Sequence, residues 1–228
     1  MPEDRLPIFP VNAPDARLPV LSIAIREVSD AQRHVGILYA AHGGPHVVIE
    51  LHDHHKLTQG EPHPAFYFAA SIIDERLLFA LAEWVGVVWN RNSDGKVPYS
   101  IRYCGKYFGP DGSLLQTGLG EGLTCATFVL AVFADYGLPL VDTNKWPGRL
   151  SDKKWKETIL QVIAKSAPAP HVEAQRPFVS GAARFRPEEV AAAFVLYRDR
   201  AIKQREAEGV GKRINKAIAR DTERTIAS

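Results

Sequence analysis

The chain has 228 residues, 46% hydrophobic and 24% charged, with a net charge of +2. This is the composition of a folded globular protein, and the length suits one ordinary domain with an appendage. The small net charge gives no electrostatic case for nucleic acid, and two cysteines make no disulfide framework.

In chain order, residues 1–19 hold Pro2 and then the proline-rich "LPIFPVNAPDARLP", which reads as an extended arm laid over the body. No basic segment runs into an apolar one there, so no secretory signal is expected. No apolar run is long enough to span a bilayer. A reducing cytoplasm is the expected compartment, or export by a route that reads no cleavable signal.

Residues 20–29, "VLSIAIREVS", read as a strand, and "RHVGILYAAHGGPHVVIELHDH" as a β-hairpin turning at "AHGGP". With residue 40 opposite residue 46, the register sets His34 opposite His52 on one face. A helix follows in "SIIDERLLFALAEWVGVVWNRN", where Leu77, Leu78, Leu81, Trp84, Val85 and Val88 recur at helical spacing, capped by Ser71 or Asp74. "NSDGK" is a turn, and "VPYSIRYCGKYFG" reads as one or two short strands. "PDGSLLQTGLGEG" is loop. A helix from Cys125 to about Tyr136 stops at Gly137.

The remainder reads as helical: "SDKKWKETILQVIAKSA" capped by Ser151, a linker-like loop "APAPHVEAQRP", and a helix opening at Pro187, Glu188 and Glu189. A last basic helix is expected after Gly209 and Gly211. Arg198, Arg200, Lys203, Arg205, Lys212 and Arg213 make this end basic. A solvated helix face explains them, and a polyanion-binding tail is the sharper alternative.

Chemistry concentrates at "GEGLTCATFV", where a glycine-rich loop meets a helix start at Cys125. A helix N-terminus and a nearby histidine lower a thiol's pKa, and the free N–H groups there can hold an oxyanion. Cys104, in a strand-like context, lacks these features. The hairpin supplies a base: His34 next to His52, one to take the thiol proton and the other to hold its tautomer. Glu50 and Asp53 are alternative orienters. Gly36 beside His34 leaves a slot for substrate or for the cysteine helix.

These residues resemble the permuted NlpC/P60 superfamily of papain-like thiol enzymes, with its lecithin:retinol acyltransferase-like and YiiX-like members. The histidine starts a strand in "H-x-G-I", here His34-Val35-Gly36-Ile37; a second polar residue lies on the next strand, here His52; and the nucleophile heads a helix, here in "TCATFV". The resemblance covers residues 20–138 and implies an α+β, papain-like fold with an antiparallel sheet packed on the nucleophile helix. The organisation that follows is an arm (1–19), a catalytic domain (20–150) and a helical C-terminal extension (151–228). It implies a cysteine hydrolase with Cys125, His34 and His52 as its catalytic residues. The reaction the resemblance implies first is amide cleavage of a peptide or peptidoglycan-like substrate through a thioester. Acyltransferase relatives usually carry Asn where this chain has Thr124, which weighs against carrying over lipid acyl transfer.

Three rivals stand beside this reading. The same site suits a lipid acyl hydrolase or acyltransferase, with the basic C-terminal helices in contact with a membrane surface. A non-enzymatic partner-binding module would use the basic tail and not Cys125. A zinc site would draw on His46, His52, Asp53, His54 and His55, but successive strand residues face opposite ways. The expectation is no metal, no cofactor, no nucleic acid, and a peptide-like or acyl substrate.

Overall fold

The computed structural model describes residues 6–13, 16–29 and 32–226, the last five without their side chains. It is an α+β fold built on a six-stranded antiparallel sheet. The strands are β1 (Ile8–Pro10), β2 (Leu21–Ser29), β3 (Gln32–Tyr39), β4 (Val47–Asp53), β5 (Lys56–Gly60) and β6 (Tyr67–Ala69), in the order β1-β6-β2-β3-β4-β5. The helices are α1 (Glu75–Asn92), α2 (Cys125–Tyr136), α3 (Lys153–Ile163), α4 (Ala169–Glu173), α5 (Pro187–Leu196) and α6 (Gln204–Ile226).

Strand alternation divides the sheet between two cores. Ile23, Ile25, Val35, Ile37, Ile49 and Leu51 face the main core with α1, α2 and α5. Ala24, Leu38 and Val48 face the other way and are covered by Phe66, Phe68 and the arm residues Val11, Ala16 and Leu18. The proline-rich arm does lie over the body, and its Ile8–Pro10 adds an edge strand against β6. Residues 1–5, 14 and 15 of that arm lie outside the described residues.

The hairpin register is the expected one: Ile37 pairs with Ile49, Leu38 with Val48 and Tyr39 with Val47. Backbone pairing between β3 and β4 stops there, while residues 34–36 stay paired with β2 and residues 50 and 51 with β5. Gly36 makes no slot for substrate or for the cysteine helix. A Cβ at this position would sit 2.6 Å from the Ile49 carbonyl oxygen and 2.9 Å from Glu50 Cγ, so its missing side chain is what lets Glu50 lie flat. Gly36→Ala is expected to cost about 1–3 kcal/mol by overpacking, read as a lower urea midpoint with an unchanged m-value.

Helix α2 starts where it does because Thr124 and Thr127 form a reciprocal cap. The Thr124 hydroxyl accepts from Thr127 N–H at 3.2 Å, and Thr127 Oγ1 accepts from Thr124 N–H at 2.7 Å. Gly137 ends it at φ 102°, a left-handed stop. Every residue from Cys125 to Phe133 is buried, against β3 and β4 on one side and α1 and α5 on others. Cys125 is thereby mounted on the first turn of a helix buried in the middle of the protein.

Four expectations are corrected. Residues 97–108 form no strand, only the isolated bridges Tyr99–Leu123 and Phe108–Leu114. The segment 167–177 is no linker: it holds α4 and buries His171, Val172 and Gln175. Ser151 caps nothing, since it sits inside a 3₁₀ turn that runs into α3. The C-terminal break falls at residues 197–203 rather than after Gly209, and α6 runs through both glycines. Ala207, Ile214 and Ile218 of α6 are buried, and α5 is the helix it packs against. Among the described residues no helix is long and apolar enough to cross a membrane.

Candidate active site

Helix α2 brings Cys125 to its first turn, beside the start of β3. Thr124 takes the Thr127 N–H, which leaves the N–H groups of Cys125 and Ala126 for other work. The Cys125 sulfur receives hydrogen bonds from the backbone N–H of Val35 and of Ala126, and from His34. Burial pushes the thiol up, but the His34 charge, its hydrogen bond and the two backbone donors prevail and hold it below its ordinary value. The partner shows the mirror effect. Burial would lower His34, yet the Cys125 thiolate and Glu50 raise it to about 9. Each charge of the pair thus favours the other.

Glu50 stands behind the base. Its Oε2 lies 3.0 Å from His34 Nε2, an ion-pair contact off the line of an aligned hydrogen bond. That leaves Nδ1 as the nitrogen for the thiol. Oε1 lies 3.4 Å from His52 Nε2, and Arg26 approaches Oε2 at 3.8 Å. Burial would raise Glu50, but the close contacts and charge of His34 and His52 bring it down to about 2. One carboxylate thus faces three cationic or protonatable groups.

His34 and His52 meet as the register requires, their rings stacked at 4.8 Å and 6° from parallel. It is Glu50, however, that touches His34 Nε2; His52 lies on the exposed side and reaches the same carboxylate. Asp53 does not join them. It accepts from His54 N–H at 2.7 Å and from the Ser166 hydroxyl at 2.8 Å. Cys104 sits apart and exposed, its sulfur 3.3 Å from the Tyr107 hydroxyl and its thiol pushed up, first by burial.

The sequence did not point to Tyr99. Its buried phenol hydrogen-bonds the Cys125 side chain and accepts from the Cys125 N–H. Burial and the thiolate charge keep that phenol protonated far above neutral pH. Nothing in "VPYSIRY" marks this residue, because the segment is irregular and its partner lies far along the chain.

A cleft of about 270 Å³ opens over Cys125. The sheet side contributes Arg26 and Val28, and the C-terminal third contributes Trp155, Ile159, Arg184 and Phe185. Arg184 stacks on Trp155 at 3.8 Å and pairs with Asp152 at 3.1 Å. Val28 and Val162 stand exposed at its lip.

Among the described residues, one group has the spacing to hold a metal ion: His34, Glu50 and His52, with ligand atoms within 4.8 Å of one another. It is not the cluster of the rival zinc reading, with which it shares only His52. His46 bonds the Pro19 carbonyl, and His54 is engaged with Tyr99. An ion at the triad would occupy the nitrogens and carboxylate oxygens that otherwise serve Cys125. Compared with family models, curated proteins and solved structures, the chain matches none.

Proposed function

We propose that this protein is a cysteine hydrolase with a papain-like, permuted NlpC/P60-type arrangement, cleaving an amide bond in a peptide or peptidoglycan-like substrate. The observation that carries this reading is the line Cys125–His34–Glu50, with the thiol held down and the imidazole held up. A buried structural cysteine needs no such neighbours.

The steps follow from the positions. The Cys125 thiolate attacks the substrate carbonyl carbon, and the carbonyl electrons move to oxygen. The Tyr99 hydroxyl, which bonds the sulfur and accepts from the Cys125 N–H before attack, and that N–H are the donors we assign to the oxyanion as charge leaves the sulfur. His34 gives its proton to the departing amine, leaving a thioester on Cys125. His34, now neutral, takes a proton from water, which attacks the thioester and releases the acid. Glu50 keeps the imidazole oriented and offsets its charge.

The apolar lip at Val28 and Val162 favours a second reading, an ester bearing an acyl chain, opened by the same groups.

The test is iodoacetamide alkylation against pH, with Cys125 and Cys104 resolved by peptide mass. Cys125 is expected to react at a pH well below the free-thiol range of about 8.5, and to lose that advantage in His34→Ala. A Cys125 that reacts no faster than Cys104 would remove the chemical basis of the proposal.

A further inference from the structure

Tyr99 stands in a long irregular stretch between α1 and α2, where no strand ladder fixes the backbone. Both of its main-chain groups are instead bonded to histidines from distant parts of the chain. Its N–H donates to His54 Nδ1 at 3.3 Å, and His171 Nε2 lies 2.9 Å from its carbonyl oxygen. His54 belongs to the turn between β4 and β5, and His171 to α4. Both are buried, and their rings lie 4.6 Å apart.

We propose that His54 and His171 are positioning residues that hold Tyr99 against Cys125, so that α4 is part of the reacting site. This rests on the reading of Cys125 as the nucleophile. The geometry fixes both tautomers. His54 accepts through Nδ1 and must be neutral, and His171 donates through Nε2 to the carbonyl. Burial, with the nearby His55 and His171, lowers His54 to about 4, which keeps Nδ1 free to accept through the neutral range.

The surrounding contacts tighten the same hold. Gln175, just past α4, accepts from Ile101 N–H at 2.9 Å and donates to the His171 carbonyl at 3.2 Å. Ser100 donates its hydroxyl to the Gly120 carbonyl at 2.6 Å. Gly120 has φ 77°, and a Cβ there would stand 2.6 Å from Ala174 Cβ. The glycine loop before Cys125 is thus pressed onto the end of α4. The Tyr99–Leu123 bridge ties the Tyr99 segment directly to the loop before Cys125, and α4 adds a second hold on both from the C-terminal third.

Two reactions of Cys125 in the full chain separate positioning from mere stapling. Iodoacetamide alkylation needs only the thiolate, whereas acylation by p-nitrophenyl acetate also passes through an oxyanion. Tyr99→Phe is expected to slow acylation about 10²–10³-fold, and His171→Ala about 10–100-fold. His171→Gln, which restores an N–H at similar reach, should return the rate to within about twofold of wild type. In the Tyr99→Phe background, His171→Ala should cost nothing further. Should His171→Ala fail to fold, His171→Leu fills the site without the donor and takes its place, with the same expectation.

An unchanged acylation rate in His171→Ala, or an equal loss with and without the Tyr99 hydroxyl, overturns the inference while wild-type alkylation of Cys125 stands. A wild type inert to both reagents overturns the nucleophile reading, and this inference with it.

Discussion

Alanine in place of His34 is expected to slow acylation of Cys125 by about 10²–10⁴-fold at neutral pH. The loss has two parts. The imidazolium that favours the thiolate is gone, so burial acts on Cys125 against the two backbone donors alone and its titration moves up. The proton donor for the leaving group is gone as well. The pH profiles separate the two. In wild type, amide cleavage should fall as pH rises through about 9, because His34 then loses the proton it must give away. Alkylation needs no leaving-group proton and should stay level there. The apparent values belong to the coupled pair rather than to either residue. In His34→Ala, alkylation should begin only at alkaline pH, and the fall in amide cleavage near pH 9 should vanish with the base.

Glu50→Gln is expected to damage stability and chemistry together. The carboxylate is the shared counter-charge of His34, His52 and Arg26, with side chains of His34 and Glu50 only 11% and 13% exposed. Stripping one partner from such a pair costs about 3–5 kcal/mol. The sign with pH follows from the carboxylate. Its folded pKa of about 2 lies below the ordinary 4.5, so its stabilisation is full above the ordinary value and disappears as pH falls through about 2. Wild type and variant should therefore differ most in denaturant midpoint near neutrality and converge in strong acid. The variant's His34 should also titrate below 9, which shrinks the thiolate fraction at neutral pH. His52→Ala, on the exposed side, should slow alkylation less than about tenfold, in keeping with the modest worth of exposed pairs. The reverse ranking, with His52 the costlier loss, would give His52 the orienting role and sink the one assigned to Glu50.

The two strands of the hairpin were legible because their constraints are local. A turn at "AHGGP" and apolar residues alternating on both sides leave one register, and that register stacks His34 on His52. Helix α2 was legible for the same reason: a Thr cap, an apolar run and a glycine stop are adjacent in sequence. The identity of the residue behind His34 was not, because Glu50 lies across from the side-chain-free Gly36 and its longer chain reaches His34 from there.

Where the partner is distant, the pattern misled. "VPYSIRYCGKYFG" has strand composition, but its N–H groups are bonded to Gln175, Asp135 and His54, so no ladder forms. "APAPHVEAQRP" looks like a linker by its prolines, yet Pro168 precedes the first turn of α4 and the histidine within it points inward. Gly211 resembles a helix stop and serves another purpose. A Cβ there would meet the Glu188 carbonyl at 3.1 Å, so the glycine lets α6 press close to α5.

The placement of α5 has a consequence for how the protein is made. This helix lies across β2, β3, β6 and α2, with Val190 to Phe194 wholly enclosed. Strands and helix α2 leave the ribosome well before it, with their apolar faces still uncovered, and contacts so distant in sequence close late. Cys125, His34 and Glu50 are then all synthesised, while α4, which bonds the Tyr99 backbone, is not. The growing chain carries Cys125 uncovered through the period when neighbouring polypeptides are most exposed to it, and encloses it only once residues 169–196 have emerged.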